Sequence, residues 1–342
     1  KFNGDTVLIF KLEHSPKIVA PQVPTYYYSR ERLLQKVLSQ KDKRLMLITA
    51  PAGYGKTSIS VEYFHLLNKE LKLWISISRY DHSIENFFLL LAMAFEKYLK
   101  SSPVGKNLRR TLSRSQNIQP SDKINLIISS FTSDLYSYLS KRGKQLSIFL
   151  DDFHNIDDSE DVCEALNYFL DYLPDNIRIV IITRKDPVLI NYPKFQAKGW
   201  LGRITKDDLV FDEADVRNLL KRYKKKTQQI SKDILENYIK GTEGWITAIQ
   251  LLLMSENPEP IAREELMQSR NDVFEYFTNE IFAQCSEEEK NLLLVLSFTE
   301  NFNGYIIEHV LEINKGLEIL LSLYERNLFI NREDSEFRFH EL

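Results

Sequence analysis

Cysteine, net charge and long apolar runs are all scarce in this sequence. Only two of its 342 residues are cysteines, and Cys163 and Cys285 lie far apart without metal-ligand spacing. This argues against a disulfide framework or a zinc site, and it favours a reducing, cytoplasmic environment. The formal net charge is only −3, which argues against a chain dominated by contacts with nucleic acid.

The longest apolar run, FFLLLAMAF, has nine residues (87–95), whereas a membrane-spanning helix needs about 20. No membrane partner is therefore expected. The N-terminus also lacks the charged and then apolar pattern of an export signal. The chain begins with Lys1 and stops at FRFHEL, so we expect it to be a piece of a longer protein.

Aromatic residues are plentiful, with 20 Phe and 17 Tyr, so large cores are available. The length predicts two or three domains. Short apolar runs alternate with helical patterns, which predicts a mostly parallel sheet covered by helices on both sides. The predicted strands are 44–49, 71–77, 145–150, 177–183 and 208–211, and the predicted helices are 56–68, 83–99, 122–141 and 159–172.

The strands stop after about residue 211. Asp212 is a predicted N-cap for the next helix, and two more helices meet at Gly241 and Gly244. A proline-containing break at 257–266 precedes a further helical stretch. The closing NLFINREDSEFRFHEL has two short alternating runs around EDSE, which predicts a β-hairpin. Helices followed by a terminal hairpin indicate a winged-helix module.

The stretch APAGYGKTS (50–58) lies between a predicted strand and a predicted helix. In this context a glycine-rich turn presents backbone N–H groups and a helix dipole to phosphates. Lys56 would reach the β- and γ-phosphates of ATP, and the Thr57 hydroxyl would bind Mg²⁺. The loop residues expected to bind nucleotide are Ala52, Gly53, Tyr54, Gly55, Lys56, Thr57 and Ser58. Ala50 replaces the usual first glycine.

Two acidic residues follow the buried run SIFL. Asp151 and Asp152 would lie beside the phosphate loop, because the carboxyl ends of parallel strands share one edge of a sheet. Asp151 would hold Mg²⁺ through water, and Asp152 would orient or deprotonate the attacking water. The alternative is that the two carboxylates cap the following turn.

Arg184 follows another buried run, in IRIVIITRKDP. A cation at that position would contact the γ-phosphate and distinguish ATP from ADP. An ordinary solvated arginine is the alternative.

Together these patterns predict the fold class α/β, a P-loop NTPase with a parallel sheet covered by helices, followed by a helical domain and a winged-helix domain. The predicted boundaries are 1–20 (unassigned lead), 21–211 (nucleotide-binding), 212–258 (helical) and 259–342 (winged helix).

Five motifs carry a resemblance to a known family. From about residue 17 onward the chain resembles MalT-like transcriptional regulators, which are large LuxR-type, ATP-binding members of the STAND class of signal-transduction NTPases. The motifs occur in the family's order and approximate spacing: APAGYGKTS, IFLDDFHNI, IITRKDP, GTEGWITAIQLL and LFINREDSEFRFHEL. Loops in that family also begin with Ala or Ser, which accounts for Ala50.

The resemblance implies a switch with three parts: a nucleotide-binding domain, a helical domain and a winged-helix domain. ADP would hold it closed, and ATP with an inducer would open it and promote self-association into a homo-oligomer, with slow hydrolysis. Tyr28, Ser29 and Arg30 would help to hold adenine, and His340 would contact the β-phosphate of ADP. Family members normally continue into a helical-repeat sensor domain and a C-terminal helix-turn-helix. The small-molecule inducer and DNA would therefore bind parts that this sequence does not include.

Two other functions fit some of the same residues. A turnover ATPase of the AAA+ kind, a motor or loader, would also need Lys56, Thr57 and Asp151, but no arginine finger is evident in the sequence. Direct DNA binding through the winged helix is a third hypothesis, which the acidic net charge disfavours.

Overall fold

The computed structural model describes residues 16–23, 27–99, 103–114, 120–140, 144–223, 239, 242–254, 282–299, 301–310, 313, 315–325, 330–333 and 336–339. These residues form two units. The first contains the described residues within 16–23, 34–49 and 57–204, and the second contains those within 27–33, 50–56 and 205–339.

The first unit is built on a sheet of five parallel strands. They are β1 (Leu45–Thr49), β2 (Leu71–Ser76), β3 (Leu146–Asp151), β4 (Ile177–Thr183) and β5 (Leu201–Ile204), in the spatial order β2-β3-β4-β1-β5. Every residue of β1, β3 and β4 is buried, as expected for strands covered on both faces. The first four predicted strands and the parallel sheet are thereby confirmed.

Helices connect the strands and cover the sheet. Their bounds in chain order are α1 (Glu31–Ser39), α2 (Lys56–Leu66), α3 (Ile84–Tyr98), α4 (Val104–Arg114), α5 (Pro120–Ser140), α6 (Glu160–Tyr172) and α7 (Tyr192–Ala197). Short 3₁₀ turns lie at Pro16–Ile18, Arg79–Asp81 and Phe153–Asn155. Phe131 of α5 joins three helices, because its ring lies 5.3 Å from that of Phe95 and 5.0 Å from that of Phe169.

The predicted strand at 208–211 is wrong. The fifth strand is Leu201–Ile204, and residues Lys206–Leu209 form a helical turn, α8. The Thr205 backbone N–H donates to Asp208 Oδ2 at 3.0 Å, which is half of a capping box and starts a helix at that point. A short apolar run such as DLVF does not by itself distinguish a strand from a buried helical turn.

The second unit continues with α9 (Glu213–Tyr223), α10 (Ile246–Met254), a 3₁₀ turn (Phe282–Gln284), α11 (Glu287–Leu296), a π-helical turn (Ile306–Val310) and α12 (Gly316–Glu325). Asp212 caps α9 as predicted, because its Oδ1 accepts a hydrogen bond from the Asp215 N–H at 2.8 Å. Ser286 starts α11 with a capping box that includes Glu289.

A small antiparallel sheet closes the second unit. Its strands are β6 (Asn301–Phe302), β7 (Ile330–Glu333) and β8 (Glu336–Phe339), in the order β6-β8-β7. The predicted terminal hairpin is thereby confirmed, and β6 adds a strand that was not predicted. The buried core of this part, here called the winged-helix core, consists of Cys285, Leu292, Leu293, Leu296, Phe302, Ile307, Leu320, Leu323, Ile330 and Phe337. None of the helices in the described ranges combines the length and apolar character that crossing a bilayer requires.

Gly105 shows how closely α3 and α4 pack. A Cβ atom at this position would lie 2.4 Å from the backbone oxygen of Ala92 and 2.7 Å from Glu96 Cγ. In an exposed helix, Gly→Ala stabilises by about 1 kcal/mol. We expect Gly105→Ala to destabilise this protein by about 1–3 kcal/mol instead, because the backbone contact forces α3 and α4 apart.

Urea unfolding of the parent, Gly105→Ala and Lys106→Ala measures this effect. Lys106 is the next residue of α4 and is exposed, so its variant controls for altered helix propensity. A Gly105→Ala protein as stable as the Lys106→Ala control would contradict the close packing of the two helices.

Candidate nucleotide site

The glycine-rich loop adopts a conformation that requires glycine at two positions. Gly53 has a φ of 77° and Gly55 a φ of 80°, and this left-handed region is costly for residues with a Cβ atom. Ala50 is buried at the end of β1, and α2 begins at Lys56. Strand, loop and helix thus follow each other as the sequence predicts, with the loop leading into the positive end of a helix dipole.

Lys56 is the first residue of α2 and is only 9% exposed. Its Nζ donates to the Pro51 carbonyl oxygen at 2.7 Å. A buried ammonium needs oxygen partners to offset its desolvation, and a carbonyl of its own loop supplies one. The lysine therefore bends back over the loop, which is the position from which a phosphate contact is expected.

Thr57 and Asp151 lie together, although 94 residues separate them in the chain. Thr57 Oγ1 donates to Asp151 Oδ1 at 3.2 Å. Asp151 ends β3 and is only 3% exposed. The same Oδ1 accepts a hydrogen bond from the Asp152 N–H at 3.0 Å. Both predicted magnesium ligands thus occupy one place at the carboxyl edge of the sheet.

These two side chains fit a magnesium ion held jointly with a nucleotide. Mg²⁺ prefers oxygen ligands, and it is usually bound by one or two protein oxygens while phosphates and water complete the octahedron. No group of three or more His, Cys, Asp or Glu residues among the described residues is arranged to hold a metal alone. A site with one hydroxyl and one carboxylate therefore suits an ion that arrives with phosphate.

Asp152 has a φ of 56° and a ψ of 37°. Aspartate tolerates this left-handed conformation better than most residues, yet it remains an uncommon and strained one. The side chain is half exposed, in contrast to the buried Asp151. The backbone turn therefore sends consecutive carboxylates into different surroundings, which fits the different roles predicted for them.

Arg184 follows β4 directly, and β4 lies between β1 and β3 in the sheet. The strand order thus brings the arginine between the strand that leads to the loop and the strand that ends in Asp151. Lys185 forms an ion pair with the buried Asp157 at 3.5 Å, which ties down the segment that carries Arg184. Burial raises the pKa of Asp157, and Lys185 opposes that rise.

Two threonines that the sequence reading did not single out also reach this edge. Thr49 ends β1 and Thr183 ends β4, and they are register partners across the sheet. Both hydroxyls are buried, and neither has a hydrogen-bond partner among the described residues, a condition that costs about 1–3 kcal/mol for each group. Such unsatisfied hydroxyls favour a polar ligand or water here. The sequence signal was the Ile-Thr ending shared by both strands.

The predicted adenine segment makes contacts within the second unit. Arg30 is buried and donates to the Leu209 carbonyl at 2.8 Å, and its guanidinium lies 4.3 Å from the Phe211 ring centroid. Tyr28 Oη accepts a hydrogen bond from Asn218 Nδ2 at 2.9 Å. Ser29 is exposed. Their role in binding adenine stays a prediction, as does the nucleotide contact of His340, which lies outside the described residues.

The start of α10 and the residue directly before it contact the loop, which the sequence reading missed. Trp245 Nε1 donates to the Ala52 carbonyl at 3.1 Å, and Thr247 Oγ1 donates to the Gly53 carbonyl at 2.9 Å. The Tyr54 ring lies 6.5 Å from the Trp245 ring. Trp245 is only 1% exposed, so its ring is buried while its N–H binds the loop. The Glu-Gly-Trp motif was the available signal.

The comparisons with known proteins concern the family resemblance and the fold. Residues 278–342 match the family model described as the MalT winged helix domain. The chain is 26% identical over 322 residues to the HTH-type transcriptional regulator MalT of Yersinia pestis (strain Pestoides F), covering 92% of this chain and 34% of that protein. It is 24% identical over 321 residues to the Vibrio parahaemolyticus protein of the same name.

The resemblance to MalT-like regulators is therefore confirmed. The matching winged-helix segment begins at residue 278, later than the predicted boundary at 259. The chain spans about a third of the length of these curated relatives. Among solved structures, a Walker-type ATPase of Pyrococcus abyssi has a TM-score of 0.63 at 14% identity, covering 94% of this chain and 95% of that one. This likeness supports the predicted P-loop NTPase fold.

The Thr57–Asp151 pair leads to a prediction about magnesium. We expect Asp151→Asn to remove most of the gain in ATP affinity that Mg²⁺ gives the parent, a loss of about tenfold or more, because the ion loses its anionic protein partner. Titration calorimetry with ATP, in Mg²⁺ and in EDTA, measures that gain.

Asp158→Asn is the matched control. Asp158 is exposed and pairs with His82, so the variant removes one acidic charge without changing Asp151. Equal magnesium dependence in the parent and in Asp151→Asn would contradict the assignment of Asp151.

Proposed function

We propose that this chain is the ATP- and ADP-binding switch module of a transcriptional regulator. ADP maintains a closed resting state, and ATP promotes opening and self-association. Slow ATP hydrolysis returns the module to rest. The resemblance to MalT-like regulators supports the class of function, and the loop contacts described above support the use of nucleotide as a signal.

A single observation carries this proposal: residues far along the chain, within the same unit as the loop, bind the loop itself. Trp245 and Thr247 donate to loop carbonyls, and Ala52 packs against the winged-helix core. A switch needs elements outside the phosphate site whose positions depend on what the loop binds. Both the start of α10 with Trp245 before it and the winged-helix core meet that need, because each contacts Ala52 or its neighbour.

The chemistry assigned to the site follows from its side chains. Lys56 neutralises the β- and γ-phosphates, and Thr57 and Asp151 hold the Mg²⁺, which when bound offsets phosphate charge. Asp152 orients the attacking water from its exposed position, and Arg184 senses the γ-phosphate from the end of β4. The half-buried Ser58, in the first turn of α2, lies where a hydroxyl and its amide approach the phosphates.

Partners of the whole regulator follow from the same proposal. A small-molecule inducer acts through a sensor domain, and DNA binds an output domain, both in parts that this sequence does not include. The module itself contributes nucleotide binding and self-association in the ATP state.

A turnover ATPase is distinguished from this switch by its product release, since a motor must exchange ADP rapidly and a switch must retain it.

The expected result is that the purified protein carries ADP. Denaturing it and identifying the released nucleotide by mass should give close to one ADP per chain for the parent and little for Lys56→Ala, because the alanine variant loses the main side-chain phosphate contact. Lys69→Ala, which removes an exposed lysine, should retain ADP as the parent does.

Two results would overturn the proposal at different points. Absence of bound nucleotide together with no measurable ATP or ADP affinity would reject a nucleotide site. Rapid multiple turnover, with ADP released as fast as ATP is hydrolysed, would replace the switch by a turnover ATPase.

A further inference from the structure

We infer that Trp245 and Thr247 are positioning residues that orient the amides of the phosphate loop. The inference rests on the proposed function, and it adds how nucleotide affinity is linked to the start of α10 and the residue before it. Neither side chain is assigned a contact with nucleotide. Their proposed action passes through the loop backbone.

Peptide geometry carries the first step. In a planar trans peptide the C=O of one residue and the N–H of the next point in opposite directions, and the loop has no cis bond. Trp245 binds the Ala52 carbonyl, so the Gly53 N–H of the same peptide points away from Trp245. Thr247 binds the Gly53 carbonyl, so the Tyr54 N–H points away from Thr247. Two consecutive amides are thus aimed to the side opposite α10.

The close approach of these donors explains why residue 53 is glycine. A Cβ atom at Gly53 would lie 2.5 Å from Thr247 Oγ1 and 2.6 Å from Trp245 Nε1. Both donors therefore occupy the space that any other side chain would need. The positive φ and the two close contacts each require glycine at position 53. The loop conformation and the positions of the two donors are therefore matched to each other.

The segment that carries the donors packs closely against Phe211. Gly244 has a φ of 71°, and a Cβ atom there would lie 2.6 Å from the Phe211 carbonyl oxygen. The Phe211 N–H donates to the Gly244 carbonyl at 3.0 Å, and the Phe211 ring stacks under Arg30. A continuous set of contacts therefore runs from Arg30 through Phe211 and Gly244 to the loop carbonyls. Because Trp245 and Thr247 belong to the 242–247 segment, any shift of that segment would also shift their hydrogen bonds to the loop.

Amides that are oriented before binding lose less entropy when they meet an anion. Binding of a β-phosphate by the loop should accordingly weaken when either donor is removed. A ligand without a β-phosphate should be affected much less, because the oriented amides then have no group to bind.

The test compares ADP with AMP on the full chain, stripped of nucleotide. Thr247→Val removes the hydroxyl at nearly constant shape. It should weaken ADP binding by about three- to tenfold, the value of one neutral hydrogen bond, and change AMP binding by less than about twofold. Thr247→Ser restores the donor and should recover the ADP affinity. Calorimetry measures all four combinations of variant and ligand against the parent.

Equal ADP affinity in Thr247→Val and the parent would overturn the inference, as would an equal loss for ADP and AMP. If the valine variant does not fold, Trp245→Phe decides, since it keeps an aromatic ring but lacks the N–H donor, and the same ADP-specific loss is expected. A parent that binds no nucleotide refutes the proposed function. A parent that binds ADP while both variants match it refutes only this inference.

Discussion

Parallel strands end at one edge of their sheet, and the chemistry of the first unit depends on that constraint. It places Asp151 within hydrogen-bonding distance of Thr57, and it places Thr49 and Thr183 side by side. No local sequence feature brings these residues together. The pairing of the buried strands does so, because β4 pairs in parallel with both β1 and β3 and all three strands end at the same edge.

The glycine loop shows a second constraint, which local sequence expresses only in part. Gly53 and Gly55 are recognisable as turn residues from the motif alone, and their positive φ values agree with that interpretation. What the motif does not show is that the outer face of the loop is bound by Trp245 and Thr247. A loop whose carbonyls are bound on one side presents its amides on the other, so packing and ligand binding share one backbone conformation.

The sequence predicted the local parts of the site better than the distant ones. Lys56, Thr57 and Asp151 stand out because a strand, a loop and a helix leave a linear signature. The position of β4 between β1 and β3 leaves none, because strand order is decided by crossover packing. The fifth strand was misplaced because LGRI is short and only alternately buried, and DLVF is the more apolar run.

Arg30 illustrates how a predicted ligand contact differs from an observed protein contact. Its guanidinium is buried against the Phe211 ring and bound to the Leu209 carbonyl. Burial lowers its pKa, while Asp215 opposes that shift. Its adenine role follows from the family resemblance and stays a prediction, whereas its packing partners lie about 180 residues further along the chain and cannot be identified from the motif.

Magnitudes limit what the contacts with the loop would contribute to the proposed switch. Two neutral hydrogen bonds contribute about 1 kcal/mol each, so together they bias a two-state equilibrium by about thirtyfold. Reversing a 1:99 population to 99:1 takes about 5.5 kcal/mol. Trp245 and Thr247 alone therefore tune the equilibrium without reversing it. Complete switching requires a further contact that changes with the loop, and the packing of Ala52 against the winged-helix core is positioned to supply it. Because coupling is reciprocal, in the proposed switch a nucleotide that stabilises this loop conformation would stabilise the packing of Ala52 against the winged-helix core by the same amount.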